Sequence, residues 1–165
     1  MNSYFGDVAT GGMRAIGGRR PNVFGAFLSL ADAVMHTDSS LSQLDRELIG
    51  AHVSKRFGCS FCHLGHIDTA EAIGGDDVQA MFDQPDARLT TLFAFADKVV
   101  DNAVTDAEIA SLAGEGISEA EIEDVIFVAS LFGFANRMVT GFGLDYQAER
   151  DRAGSRALAN GYARR

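Results

Sequence analysis

The chain has 165 residues, 47% of them hydrophobic and 22% charged, enough for one domain that folds around its own core without disulfide or metal staples. A formal net charge of −9 and a pI near 4.7 argue against a nucleic-acid partner, since phosphate backbones are bound by basic faces that release counterions. The paired basic residues Arg19-Arg20 and Arg164-Arg165 are too short for such a patch, no apolar run of about 18 residues is present to cross a bilayer, and the start of the chain, with Asp7 and several glycines, does not read as a signal peptide. The expectation is a cytoplasmic protein with no nucleic-acid and no membrane partner.

Residues 1–20 hold Gly6, Gly11, Gly12, Gly17 and Gly18, and the entropy lost on ordering so many glycines predicts a flexible arm that orders only against a partner subunit. Pro21 suits the first turn of a helix, continued by Val23, Phe27, Leu30 and Val34 at helical spacing. Ser42-Gln43-Leu44-Asp45 opens a second helix, predicted to run to about Phe57 and stop at Gly58. A third begins around Cys59 and ends at Gly74-Gly75. Leu89, Leu92, Phe93, Ala96, Val99 and Val100 share the face of a fourth. Thr105-Asp106-Ala107-Glu108 and Ser118-Glu119-Ala120-Glu121 are capping boxes, the latter opening a helix to about Phe142. Residues 147–165 are polar and arginine-rich and form a helix or a tail. No sustained apolar–polar alternation signals a strand, so the fold class is all-α, with a core domain over 21–146.

Chemistry concentrates in one stretch. Cys59 and Cys62, the only two cysteines, stand in Cys59-Ser60-Phe61-Cys62-His63-Leu64-Gly65-His66, twelve residues after Glu47. At about 100° per residue, Cys59, Cys62 and His66 share one helix face. If the helix starts near Cys59, the unpaired N–H groups and dipole of its first turn favour a thiolate, and His66, one turn beyond Cys62, is placed to accept its proton. Glu47 falls on the flank of an apolar stripe, where it is either a buried general base or an exposed edge residue.

Zinc is the rival occupant, held by Cys59, Cys62, His66 and either His63 or His52. Structural zinc sites, however, usually draw a second ligand pair from a distant segment, and none follows, so neither metal nor cofactor is expected. His36 reads as a surface residue, His52 as packed or exposed, and His63 as peripheral to the cysteines. Asn136, on the inner face of the last long helix, reads as a helix-packing amide with its hydrogen bonds satisfied. Val128, Leu131, Phe134 and Met138, opposite Ile122 and Ile126, make that helix apolar on most sides, which suits either an oligomer interface or the centre of a monomer.

Glu47, eleven residues, Cys59-x-x-Cys62-x-x-x-His66 resembles the alkylhydroperoxidase D (AhpD) core within the larger carboxymuconolactone decarboxylase family. Leu41-Ser42, Val53-Ser54 and Asn136-Arg137 resemble its peroxidase-related subgroup, and so does Phe61, which stands where the best-known branch has a histidine. The resemblance spans about Pro21 to Leu144. It implies an all-helical homo-oligomer, a trimer or hexamer, that reduces hydroperoxides without haem, flavin or metal. It further implies Cys62 as the peroxidatic thiolate, Cys59 as the resolving thiol, His66 and Glu47 as a proton relay, and an external dithiol, protein or small molecule, as reductant. The alternatives are a decarboxylase-like or other dithiol oxidoreductase, and a redox-sensing or zinc-binding interaction protein.

Overall fold

The computed structural model describes residues 3–163, so Arg164 and Arg165 lie outside it. Nine helices account for the described architecture, without a strand: α1 Gly6–Arg19, α2 Pro21–His36, α3 Gln43–Arg56, α4 Ser60–Gly74, α5 Val78–Asp83, α6 Ala87–Val100, α7 Asp106–Gly114, α8 Glu119–Gly141 and α9 Ala148–Ala157, the last followed by a 3-10 turn at Leu158–Asn160. The caps read from the sequence form. Ser42 accepts from the Asp45 N–H, and both capping boxes, Thr105 with Glu108 and Ser118 with Glu121, close reciprocally; Asp86, which the sequence reading did not single out, caps α6 by accepting from the Leu89 N–H. Gly58, at φ 67°, turns the chain between α3 and α4 in a left-handed conformation that a side chain would strain.

α3 is the central element, packed against α4, α6 and α8. Leu48, Ile49, Ala51 and Val53 are fully buried there, and a Cβ at Gly50 would overlap the Phe132 ring, so the glycine sets how closely α8 approaches. A second apolar cluster holds Val8, Ile16, Cys59, Cys62, Val139 and Leu144. No helix among the described residues is long and apolar enough to cross a membrane.

Residues 6–19, expected as an arm, form a helix on this same body. Val8 and Ile16 are buried against the cysteines, which supplies the apolar contact that outweighs the glycine entropy. Gly12, at φ 58°, kinks α1 where a side chain would press on Arg150, and the Arg150 guanidinium donates to the Ala9 carbonyl at 2.7 Å. At the other end α9 packs on α4, where Thr69 donates to the Ser155 carbonyl at 2.9 Å and Gly65 leaves room for the Ser155 hydroxyl.

Gly50→Ala is expected to lower unfolding stability by about 1–3 kcal/mol, the usual cost of overpacking. Gly114→Ala, with nothing within 4 Å of the added methyl, should be neutral or slightly stabilising. Urea midpoints of the two variants check the contrast, and equal midpoints would dismiss Gly50 as a packing constraint.

Candidate functional site

Cys59 is the N-cap of α4 and Cys62 lies in its first turn. Both are free thiols, 1% and 5% exposed respectively, and the Cys62 S–H donates to the Cys59 sulfur. That donation, joined by the backbone N–H groups of Cys62 and Phe61, lowers the Cys59 pKa against the opposing effect of burial. The same hydrogen bond, with burial and the Cys59 charge, pushes Cys62 well up. The first negative charge of the dithiol therefore belongs on Cys59.

Glu47 is fully buried in the middle of α3. A carboxyl group without water needs polar partners, and two are present. His66 Nδ1 lies 2.6 Å from Oε2, and the Tyr162 hydroxyl donates to Oε1 at 2.7 Å. The Tyr162 oxygen is itself 3.3 Å from His66 Nδ1. The imidazole is fixed on two more sides, edge-on to Phe132 with centroids 4.5 Å apart and parallel to the Tyr162 ring within 12°. Glu47 is thus buried and not an exposed residue at the edge of its stripe. The Nδ1 contacts run to Glu47 and Tyr162, so Nε2 is the ring nitrogen turned away from the carboxylate.

The thiols and the Glu47–His66 pair thus sit at two heights of one helix, Cys62 and His66 being one turn apart on α4. Solved structures of the same shape are known. An uncharacterized peroxidase-related protein from Silicibacter sp. TM1040 is 25% identical with a TM-score of 0.74, over 83% of this chain and 76% of that one. An uncharacterized peroxidase-related protein with an alkylhydroperoxidase AhpD core, from Ralstonia eutropha JMP134, is 25% identical with a TM-score of 0.68, over 84% and 77%. The chain carries an AhpD-like core. A protein of unknown function from Agrobacterium tumefaciens, named as a candidate antioxidant defence protein AhpD, shares the fold at 20% identity and a TM-score of 0.68, over 80% and 95%. No family model and no curated protein matches the chain.

Around this AhpD-like core the remaining candidates disperse. His63 Nδ1 is 3.0 Å from the Ala51 carbonyl, its ring lies against Phe82, and burial lowers its pKa. His52 stacks on Phe93 and contacts Asp97 at 3.1 Å. The proposed zinc ligands therefore point to different neighbours, and no group of three or more His, Cys, Asp or Glu that could hold a metal is assembled among the described residues. His36, expected at the surface, is half-buried against the Leu158 carbonyl and Gln43.

Asn136 departs from expectation. It is fully buried, but neither amide atom has a hydrogen-bond partner among the described residues, so it is not the satisfied packing amide its position suggested. Tyr162 was not legible as a site residue, because it stands alone in a polar tail with no periodic apolar neighbours; only its being an aromatic residue there could have pointed to it. Four phenylalanines, Phe24, Phe57, Phe134 and Phe142, line a cavity of about 700 Å³, whose walls share Ile16, Phe24, Met138 and Phe142 with the layer packed on the cysteines.

Since thiolate rather than thiol reacts, the acidity order predicts an alkylation order. Iodoacetamide should label the Cys59 peptide first, with a pH midpoint below the ordinary 9.0, and Cys62 only at much higher pH. Peptide mass spectrometry across pH checks this. Labelling of both thiols together at the ordinary midpoint would contradict the shared proton.

Proposed function

We propose that this chain is a cofactor-free thiol peroxidase. It reduces hydrogen peroxide or organic hydroperoxides by a dithiol–disulfide cycle of Cys59 and Cys62, with Glu47 and His66 as proton relay. The observation that carries the reading is a pair of buried free thiols in one cluster at a helix N-terminus, one turn from an imidazole held 2.6 Å from a buried carboxylate. The solved neighbours, peroxidase-related by name, support a peroxidase-related function in the general sense.

In this reading Cys62 passes its proton to His66, whose positive charge Glu47 balances. The sulfur attacks one peroxide oxygen, an S–O bond forms as the O–O bond breaks, and the leaving oxygen takes the proton to become water or an alcohol. Cys62 sulfenic acid then condenses with the Cys59 thiol, releasing water and forming the disulfide. An external dithiol supplies two electrons and two protons to restore both thiols. Cys62 is assigned the attack because it lies within α4, one helical turn before His66, whereas Cys59 caps the helix a further turn back. The greater acidity of Cys59 favours the reverse assignment.

Phe127 and Phe134 on α8, 60% and 50% exposed, and Val23 and Leu30 on α2, 56% and 52% exposed, give an apolar surface that supports assembly into the trimer or hexamer. Leu131 and Val128, by contrast, are buried within the monomer.

One equivalent of hydroperoxide decides the chemistry. Wild type should lose both free thiols, Cys62→Ser should lose all turnover, and Cys59→Ser should consume one equivalent and stop at a dimedone-reactive sulfenic acid. The mirror-image result would assign the attack to Cys59. A wild type that ignores peroxide while exchanging with disulfides would replace the peroxidase by a dithiol oxidoreductase. His66→Ala and Glu47→Gln should each slow the reaction roughly 10²- to 10⁴-fold, the usual worth of acid–base assistance, and an unaltered pH–rate profile would remove them from the relay. Light scattering should give a trimer or hexamer, and Phe134→Asp with Phe127→Glu a smaller species; a monomeric wild type would refute the assembly.

A further inference from the structure

The relay is completed from the far end of the chain. After α9 the segment 158–163 crosses α2 and α3 and is fastened at several points. The Leu158 carbonyl lies 3.0 Å from His36 Nε2, and the Ala159 carbonyl accepts from Gln43 at 3.1 Å. The N–H groups of Tyr162 and Ala163 donate to Asp32 Oδ1 at 2.8 and 3.3 Å. This strap carries Tyr162 inward until its ring is 8% exposed and its hydroxyl meets Glu47.

A phenol has one proton to donate. At 2.7 Å from Oε1 that proton is directed at Glu47, so the oxygen's remaining capacity toward His66 Nδ1, 3.3 Å away, is as an acceptor. Oε2, the other neighbour of Nδ1, is an acceptor as long as Glu47 is a carboxylate. Both groups around Nδ1 then call for a proton on Nδ1, which leaves Nε2 as the nitrogen with the lone pair. This is the tautomer that can take a proton from a thiol.

We propose that Tyr162 is a positioning residue of the site: delivered by the C-terminal strap, it holds Glu47 as an acceptor at both oxygens and thereby keeps His66 in its Nδ1–H tautomer. Without the phenol, Oε1 has no donor among the described residues, Glu47 is no longer fixed as an acceptor at both oxygens, and a carboxyl that donates to Nδ1 instead turns the imidazole into the Nε2–H form. The relay then starts with its accepting nitrogen occupied. The charged and titratable groups facing this cluster are Asp32 and His36 of α2, Arg46 and Glu47 of α3, and Cys62, His63 and His66 of α4. Of these, Arg46 opposes and Cys62 adds to the negative field at the phenol. The role rests on the peroxidase reading for its purpose, but its geometry concerns only proton placement.

The test is therefore made without peroxide. Histidine side-chain ¹⁵N NMR on the reduced full chain, with His66 assigned by its loss in His66→Ala, should show Nδ1 protonated and Nε2 bare in wild type, and a shift toward Nε2–H in Tyr162→Phe. In a Cys59→Ser background, where Cys62 is the sole thiol, Tyr162→Phe should slow alkylation of Cys62 roughly tenfold to a hundredfold at neutral pH, the worth of one hydrogen bond to a charge. The rising limb of its pH profile should move to higher pH. An unchanged tautomer with an unchanged pH limb overturns the proposal, however far the melting temperature falls. Should Tyr162→Phe not fold, 3-fluorotyrosine at the same position keeps the shape and strengthens the donor. The limb should then move to lower pH, and a limb that stays in place overturns the proposal. A wild type inert to peroxide, with these Tyr162 effects intact, would sink the peroxidase reading and leave this one standing.

Discussion

The interaction on which the rest of the structure depends is the burial of the Glu47 carboxylate in the middle of α3. Placing that carboxyl away from water is tolerable only with polar partners at both oxygens, and the two partners, His66 and Tyr162, stand 19 and 115 residues away in the chain. Much of the architecture serves that convergence. Gly50 allows α8 to press Phe132 against α3, and Phe132 in turn meets the edge of His66. Gly65 allows α9 to close on α4, so that the chain beyond α9 reaches back to the carboxylate. Two close approaches, one requiring the lack of a side chain at Gly50 and one eased by it at Gly65, thus bring Glu47, His66 and Tyr162 to one place.

The thiols belong to a different neighbourhood. Cys59 and Cys62 are packed with Val8, Ile16, Val139 and Leu144 in a cluster of their own, whereas the Glu47 helix anchors the larger core. α4 joins the two, with its N-terminal turn in the thiol cluster and His66 in reach of α3. The separation has an electrostatic consequence. A carboxylate directly beside the dithiol would oppose thiolate formation, while one placed behind the imidazole can balance its positive charge. The first charge of the dithiol is left to be stabilised by the S–H of Cys62 and the open N–H groups of the helix start.

Legibility in the sequence follows the range of the forces involved. α3, α7 and α8 were readable because their starts are set by contacts three residues apart, at Ser42, Thr105 and Ser118. The Cys62–His66 relation was readable because helix geometry alone dictates it, and Glu47 because its spacing matched a known pattern. α1 was not readable: its five glycines state a local entropic cost, while the burial of Val8 and Ile16 and the Arg150 contact to Ala9 that outweigh it are long-range. Tyr162 failed for the same reason, since nothing within ten residues of it predicts a partner on α3. His36 was misjudged because what covers it is that same C-terminal strap.

Asn136 extends this argument to a residue whose local reading was incomplete in the opposite sense. Its face of α8 was read correctly, and the amide is buried, but the partners that burial demands are not supplied by the described residues. A buried amide in that condition costs about 1–3 kcal/mol, a sizeable share of the stability of a domain this size. Its place is not arbitrary. Phe132, one turn before it, touches His66, and Val139, three residues after it, is packed in the cysteine cluster. The stripe of α8 that carries Asn136 therefore meets His66 through Phe132 on one side of it and the cysteine cluster through Val139 on the other. Natural proteins break the local rules of folding in few places, and here the break lies on a helix that touches both His66 and the cysteine cluster.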